Sequence, residues 1–347
     1  MLLLTLRDLA HRWLRFVVVS VLGALVFALL FVMTGLVEQF NLEPADTVDA
    51  IGGDAWILPD GLSGPFTATA TMPADTLDSV VAAELSPIVA ARTTMGGGVD
   101  EQEGVLLGAV PGQLGVAGVR DGRAIDAAGE VMVDASTGAD VGDEIELAGE
   151  PFRVVGLTSD TTLLAGLPLV TVPLGDAQRL AFGSDQVISG AVVVGPVESI
   201  PAGTAVVGAS DVTAATLEPL EGAISSIDLV RGLLWILAAI VIGAVVYLSA
   251  LERQRDFAVL KAVGTPNRIL LGSLAIQAVV VALVAVGLGM VIQLFLAPRF
   301  PLRVRVPLDA YWQLPIIAVV VAVIAGAVGM RKVARADPAA AFAGAGA

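Results

Sequence analysis

A chain of 347 residues that is 56% hydrophobic and 15% charged is too apolar for an ordinary soluble protein and falls in the membrane class. It has no cysteine, which excludes a disulfide framework, thiolate catalysis and cysteine-ligated zinc. Its net charge of −15 is unevenly spread: residues 38–228 hold 29 acidic and 5 basic side chains.

Residues 1–15 predict an interfacial helix on the cytoplasmic side. Leu2, Leu6, Leu9 and Trp13 face one way, and Arg7, Asp8, His11 and Arg12 the other. His11 is the only histidine and reads as a surface residue on a basic rim. A first span follows over 16–37, since about 20 apolar residues cross about 30 Å of hydrocarbon. Its apolar core is longer than a signal-peptide h-region, and no small-x-small site follows closely, so it reads as a retained anchor.

Residues 38–228 predict one inserted domain outside the membrane. Its early part reads as turns around short strands, with a helix over Ala74–Glu84 opening at Pro73. From Gly104 the pattern becomes β: Val105–Gly108, Val131–Val133, Asp143–Leu147, Phe152–Gly156 and Gly190–Val194, with a short helix at Asp176–Phe182. Asp140, Asp143, Glu144, Glu146 and Glu150 have no EF-hand spacing and read as a solvated acidic face. Gly96-Gly-Gly reads as a flexible turn. From about 217, Leu217, Leu220, Ile224 and Ile227 recur at helix-packing intervals, with Pro219 expected in the first turn. This predicts a stalk running into the second span, 229–251.

The segment 252–268 is short and charged. Phe257, Leu260 and Val263 share a face by their spacing, and Arg253, Arg255, Asp256 and Lys261 charge the rest. Gly264 fits a helix C′ position, Thr265 a cap, and Pro266 the first position of a new helix. This predicts an amphipathic helix that offers apolar knobs and charges to a soluble partner. Spans three and four occupy 269–297 and 312–330, joined by an outer loop at 298–311, and 331–347 form a basic tail. Basic residues in the N-terminus, the 252–268 loop and the tail place those three on the cytoplasmic side. Arg299, Arg303 and Arg305 then fall outside, as counter-charge for the acidic domain or head groups, or as substrate contacts.

The apolar centres of spans two to four carry no Asp, Glu, Lys or Arg, which argues against a proton- or ion-coupled transporter. Their strongest polar groups are Gln277 and Gln293. The only lysines are Lys261 and Lys332, and no P-loop pattern occurs. A Ser-His-Asp arrangement would need His11, on the opposite side from the outer domain. The chain therefore reads as non-catalytic, with its energy supplied elsewhere.

Arg253-Gln-Arg-Asp-Phe-Ala-Val-Leu-Lys-Ala-Val-Gly264 resembles the cytoplasmic loop signature of FtsX-like (MacB-type) ABC transporter permeases, with Asp256 where a Glu is common. Arg331–Phe342 resembles their basic, Asp-Pro and alanine tail, and Val131–Gly156 is similar to part of their outer core domain. The short form looks most like the four-span heme-exporter (HrtB-like) or DevC-like branch. The resemblance implies an α-helical membrane protein with four transmembrane helices and an extracytoplasmic α+β domain between helices one and two. It implies a multi-pass protein of the cytoplasmic (inner) membrane, acting as a homodimer with two cytoplasmic ATPase subunits that bind ATP-Mg. Arg255, Asp256, Phe257, Leu260, Lys261, Val263 and Gly264 would then form the ATPase-coupling surface. The expected cargo is a hydrophobic or amphiphilic molecule taken from the membrane, heme first. Met33, Glu38, Met290 and Tyr311 are the candidate contacts for its iron, and Arg303 and Arg305 for its propionates. The alternatives are an FtsX-like transmitter that activates a cell-wall hydrolase, and export of an antimicrobial peptide or lipid. Membrane lipid is a partner on every reading. No cofactor is expected in this chain, no resident metal and no nucleic-acid partner.

Overall fold

The computed structural model describes residues 13–252, 259, 266–300 and 302–334. The interfacial helix expected over 1–15 therefore lies almost wholly outside the described residues, as do the basic tail beyond 334 and most of the 252–268 segment. The chain divides into two compact units. One is Phe40–Ile224; the other takes the residues up to Gln39 and from Ser225 onward.

Helix α1 runs from Trp13 to Ile51. At 1.5 Å per residue its 39 residues extend about 58 Å, well beyond a hydrocarbon core. The span expected over 16–37 is part of this longer helix, and the start of 38–228, expected as turns around short strands, is corrected to its continuation. Pro44 lies inside it and removes one backbone donor. The helix persists because its last turns are buried: Val48 and Ile51 are each 2% exposed, in a core shared with Trp56, Leu58, Ile88 and Leu107.

Thirteen strands follow within the unit Phe40–Ile224. They are β1 (Ala55–Pro59), β2 (Met72–Pro73), β3 (Val81–Gly97), β4 (Gln102–Ala109), β5 (Asp121–Gly122), β6 (Glu130–Asp134), β7 (Glu144–Leu147), β8 (Glu150–Thr158), β9 (Thr162–Leu163), β10 (Leu167–Pro173), β11 (Val187–Ile188), β12 (Gly190–Ser199) and β13 (Thr204–Gly208). Helix α2 (Leu174–Phe182) lies between β10 and β11, and α3 (Ala209–Leu217) follows β13. The main sheet is mixed and ordered β13-β1-β12-β3-β4-β10-β6-β8-β5, with β7 beside β3 and β8, and β9 beside β10. The β10–β4 and β6–β8 pairings are parallel.

Both faces of the central strands are covered. Ile88 and Leu107 enter one core, and their chain neighbours Val89 and Leu106 enter the other. Strands buried on both faces read as continuous apolar runs, which is why Val105-Leu-Leu stands out in the sequence.

The helix expected over Ala74–Glu84 is also corrected. Only Ala74–Ser79 coil, as a 3₁₀ turn, and Val81 begins the 17-residue strand β3. Its alanines hide it from propensity, and Pro87 argues against a strand interior. Pro87 is tolerated because β3 changes partners there: β12 lies along Val81–Ile88 and β4 along Val89–Met95. Gly96 and Gly97 are likewise not a free turn, since they pair with Glu146 and Ile145 of β7.

After α3, a 3₁₀ turn over Glu218–Leu220 leads into α4 (Glu221–Glu252). Pro219 thus sits between two helices rather than in the first turn of one stalk helix. Leu220 is buried, and Leu217, Ile224 and Ile227 are half-buried between exposed neighbours.

Helices α5 (Asn267–Leu296) and α6 (Ala310–Ala334) complete the second unit. Among the described residues, three helical stretches are long and apolar enough to cross a membrane: Ser20–Ile51, Ala209–Leu248 and Ala275–Arg299. The described apolar part of α6, Ala310–Ile324, is shorter. α1 and α5 approach closely through glycine. A Cβ on Gly289 would lie 2.8 Å from Phe27 Cβ and 3.0 Å from the Ala24 carbonyl. Such small-residue contact is how helices pack where lipid removes the hydrophobic drive between them.

Candidate functional site

Two places follow from the sequence. The first is the segment between α4 and α5. Arg255, Asp256, Phe257, Leu260, Lys261, Val263 and Gly264 all lie outside the described residues. Pro266, at its end, precedes α5 as the N-cap residue with φ −66° and ψ 141°. It does not occupy the first helical position as expected. An extended φ/ψ with no N–H suits a residue that enters a helix from outside.

The second place is the group Met33, Glu38, Met290, Arg303, Arg305 and Tyr311, all in the helical unit. The structure brings part of it together. The Tyr311 ring stacks on Phe31 of α1, with centroids 5.5 Å apart and planes 29° from parallel. Gln293 Nε2 of α5 donates to the Tyr311 hydroxyl at 2.7 Å. Met290 and Tyr311 are half-buried against the core of this unit. The loop before α6 crosses α1 at Gly35, whose carbonyl accepts from the Arg305 N–H at 3.2 Å. Any side chain at Gly35 would collide with that loop, because a Cβ would lie 2.6 Å from Val304 Cγ1 and 2.9 Å from Val306 Cγ2.

Met33 and Glu38 are half-buried on α1, Arg303 is exposed and Arg305 is half-buried. Among the described residues, no hydrogen bond or ion pair ties Met33 or Glu38 to the Tyr311 group. The Tyr311 oxygen already accepts from Gln293, so an iron would have to compete for it. No group of three His, Cys, Asp or Glu with metal-binding placement occurs among the described residues. What the group offers is aromatic and thioether surface around one polar pair, with two arginines in the adjoining loop. Phe31 and Gly35 were not singled out from the sequence. A glycine among large apolar residues is the signal that marks such a crossing.

The strand-rich unit uses its few cations to neutralise carboxylates. Arg123 Nη1 donates to Glu130 Oε2 at 2.8 Å, and Nη2 pairs with Oε1. The Arg123 guanidinium holds the Glu130 carboxyl down to about 2, although partial burial works against it, and the Asp126 and Ala127 amides assist. These two residues line an open cleft of about 480 Å³ with Arg153, Val141 and Val155. Arg179 bridges Glu150 and Asp176, and Asp176 Oδ2 also accepts from the Gly129 amide at 2.8 Å. In these pairs the guanidinium groups of Arg123 and Arg179 offset the charge of Glu130, Glu150 and Asp176.

Similarity to known proteins covers the whole chain. The FtsX-like permease C-terminal family model matches residues 229–338, and the MacB-like periplasmic core domain model matches 19–216. The uncharacterized ABC transporter permease Rv2563 of Mycobacterium tuberculosis is 39% identical over 348 residues, covering 99% of this chain and 100% of that protein. A second uncharacterized ABC transporter permease of that organism, Rv0072, is 36% identical with the same coverage. Of solved structures, the periplasmic region of MacB from Actinobacillus actinomycetemcomitans aligns with 47% of this chain and 91% of its own, at 12% identity and a TM-score of 0.34. The extracellular domain of the transporter YknZ from Gram-positive bacteria aligns with 43% of this chain and 84% of its own, at 16% identity and a TM-score of 0.30. With two family models and full-length relatives in agreement, the chain belongs to the FtsX/MacB-type ABC transporter permeases.

Proposed function

We propose that the chain is the non-catalytic permease of an ATP-driven exporter, working as two copies with two cytoplasmic ATPase subunits. One observation carries this reading. The chain matches ABC transporter permeases from end to end, yet its only lysines are Lys261 and Lys332 and it has no P-loop. ATP hydrolysis therefore has to come from another chain. The amphipathic segment Arg255–Gly264 is the surface offered to it, with Phe257, Leu260 and Val263 as apolar knobs. The N- and C-termini share the cytoplasmic side with that segment, four helices cross the membrane, and the strand-rich unit is extracytoplasmic.

The cargo is a hydrophobic or amphiphilic molecule drawn from the membrane rather than passed through a polar channel. The charge-free centres of the helices support this, because an ion or proton path needs ionisable groups there. Force reaches the strand-rich unit by mechanotransmission through α1, whose single helical run enters the core containing Trp56 and Leu58. Heme is the first cargo to test. It is flat, apolar and anionic, and Arg303 and Arg305 supply counter-charge for its propionates.

The test uses the complex of this chain and its ATPase in lipid nanodiscs. Heme should shift its Soret band on binding and stimulate ATP hydrolysis, and Arg303→Ala with Arg305→Ala should weaken both. No Soret shift removes heme and leaves a lipid or an amphiphilic peptide as cargo. Recovery of a cell-wall hydrolase bound to the strand-rich unit, with no cargo stimulation, replaces export by transmission. Failure to recover any ATPase contradicts the proposal itself.

A further inference from the structure

The outer turns of α1 carry a buried carboxylate. Glu43 is 1% exposed, within the unit Phe40–Ile224. Its Oε1 accepts from the Gly166 amide at 2.7 Å, across 123 residues of sequence. One turn further along the same helix face, the Thr47 hydroxyl donates to the Thr162 carbonyl at 2.7 Å. The two side chains thus grip both arms of the hairpin between β9 and β10.

That hairpin has unusual backbone. Leu164, Ala165 and Gly166 are consecutive and left-handed, with φ of 54°, 71° and 96°. Only glycine takes this region without strain, so Leu164 and Ala165 hold it only under outside constraint. Successive amides in such turns form a concavity suited to an anion. The Glu43 carboxyl occupies it: Gly166 donates to it, and the Ala165 amide and Thr162 hydroxyl face it.

The grip is incomplete. Glu43 Oε2 and Thr162 Oγ1 are both buried, and neither has a hydrogen-bond partner among the described residues. Two buried unsatisfied groups at one turn carry a cost that a hydrogen bond between them would remove. The base of the hairpin is fixed. Asp134 is fully buried, and its Oδ2 accepts from the Thr161 amide at 2.9 Å and the Thr161 hydroxyl at 3.0 Å. The hairpin thus has a pinned base and a strained tip.

We propose that Glu43 and the Leu163–Leu167 tip form a latch. It fastens the outer end of α1 into the strand-rich unit and changes position during the transport cycle. The carboxylate holds the tip in its strained form, and freeing it lets Leu164 and Ala165 relax. The second half of this statement rests on the ATP-driven reading above; the first does not.

Hydrogen exchange on the full-length chain in nanodiscs tests both halves. For the chain alone, Glu43→Ala should speed exchange of the Gly166 amide roughly tenfold, with β8 amides unchanged. Glu43→Gln keeps an acceptor and should restore most of the protection. Adding Ala165→Gly to Glu43→Ala should recover part of it, because glycine holds the turn without help. Unchanged Gly166 exchange in Glu43→Ala overturns the latch, and so does loss of β8 protection in every variant. In the complex with its ATPase, locking the nucleotide state should alter exchange at 163–167. If the complex forms and these amides do not respond, the moving latch is rejected and a static clasp remains. If no complex forms, the permease reading fails, while the measurements on the chain alone still decide the clasp.

Discussion

The two units solve opposite packing problems. The core of the strand-rich unit around Trp56, Leu58, Phe66, Ile88 and Leu107 contains one alanine among fourteen buried residues. The helical unit has seven alanines among fifteen. In water, large buried side chains supply the drive to fold. In hydrocarbon that drive is absent between helices, and small residues let backbones approach for dispersion contact. Many large side chains, including Leu229, Leu233, Ile236, Ile240, Leu294 and Phe295, are correspondingly exposed on the helices. The sheet spends its polar groups on ladders and ion pairs, whereas among the described residues of the helical unit a side-chain pair such as Gln293–Tyr311 sits between apolar helices. One sequence thus carries two packing grammars.

Substitutions break this comparison in graded ways. Trp56 is fully buried and meets Phe66 edge-on at 5.7 Å. Trp56→Ala should destabilise the strand-rich unit by about 3–5 kcal/mol, read as an earlier thermal transition with the helical content largely intact. Gly289→Leu attacks the other grammar. It should separate α1 from α5 at a cost of about 1–3 kcal/mol, read as lower detergent stability, with strand signals unchanged. Tyr311→Phe removes one hydrogen bond among apolar helices, and the expected loss is only about 0.6 kcal/mol.

The smallest effect is one of pH and belongs to the strand-rich unit alone. The folded Glu130 carboxyl titrates at about 2, below its ordinary 4.5. A depressed carboxylate stabilises the fold above the ordinary value, and that contribution disappears as pH falls from 4.5 through about 2. Thermal unfolding between pH 7 and 3 should therefore lose slightly less stability in Glu130→Gln than in the parent. An equal pH dependence would contradict the pair.

Much of the architecture is legible in the residues, because periodicity and apolar length report it directly. Val105–Gly108, Val131–Val133, Phe152–Gly156 and Asp176–Phe182 all fall inside the expected element types. The misses share a cause, in that tertiary packing overrides local signals. Glu38, Pro44 and Asp46 look like the start of a domain, yet burial of Val48 and Ile51 keeps the helix going. Ala82 and Ala83 look helical, but β12 recruits them into a strand. The Tyr311 group was partly visible, since Gln293 is conspicuous in an apolar run. Gly35 was not, because its role depends on Val304 and Val306, which arrive from far along the chain. Glu43 was invisible for the same reason, its partner lying 123 positions away.

The central claim is that a separate ATPase grips the segment between α4 and α5. Affinity capture of the full-length chain from native membranes, followed by identification of whatever co-elutes, tests it most directly. The parent chain should bring down a P-loop ATPase in equal amount, and Phe257→Asp or Leu260→Asp should lose it while remaining in the membrane. Capture of no nucleotide hydrolase, or retention of one by both variants, would contradict the account.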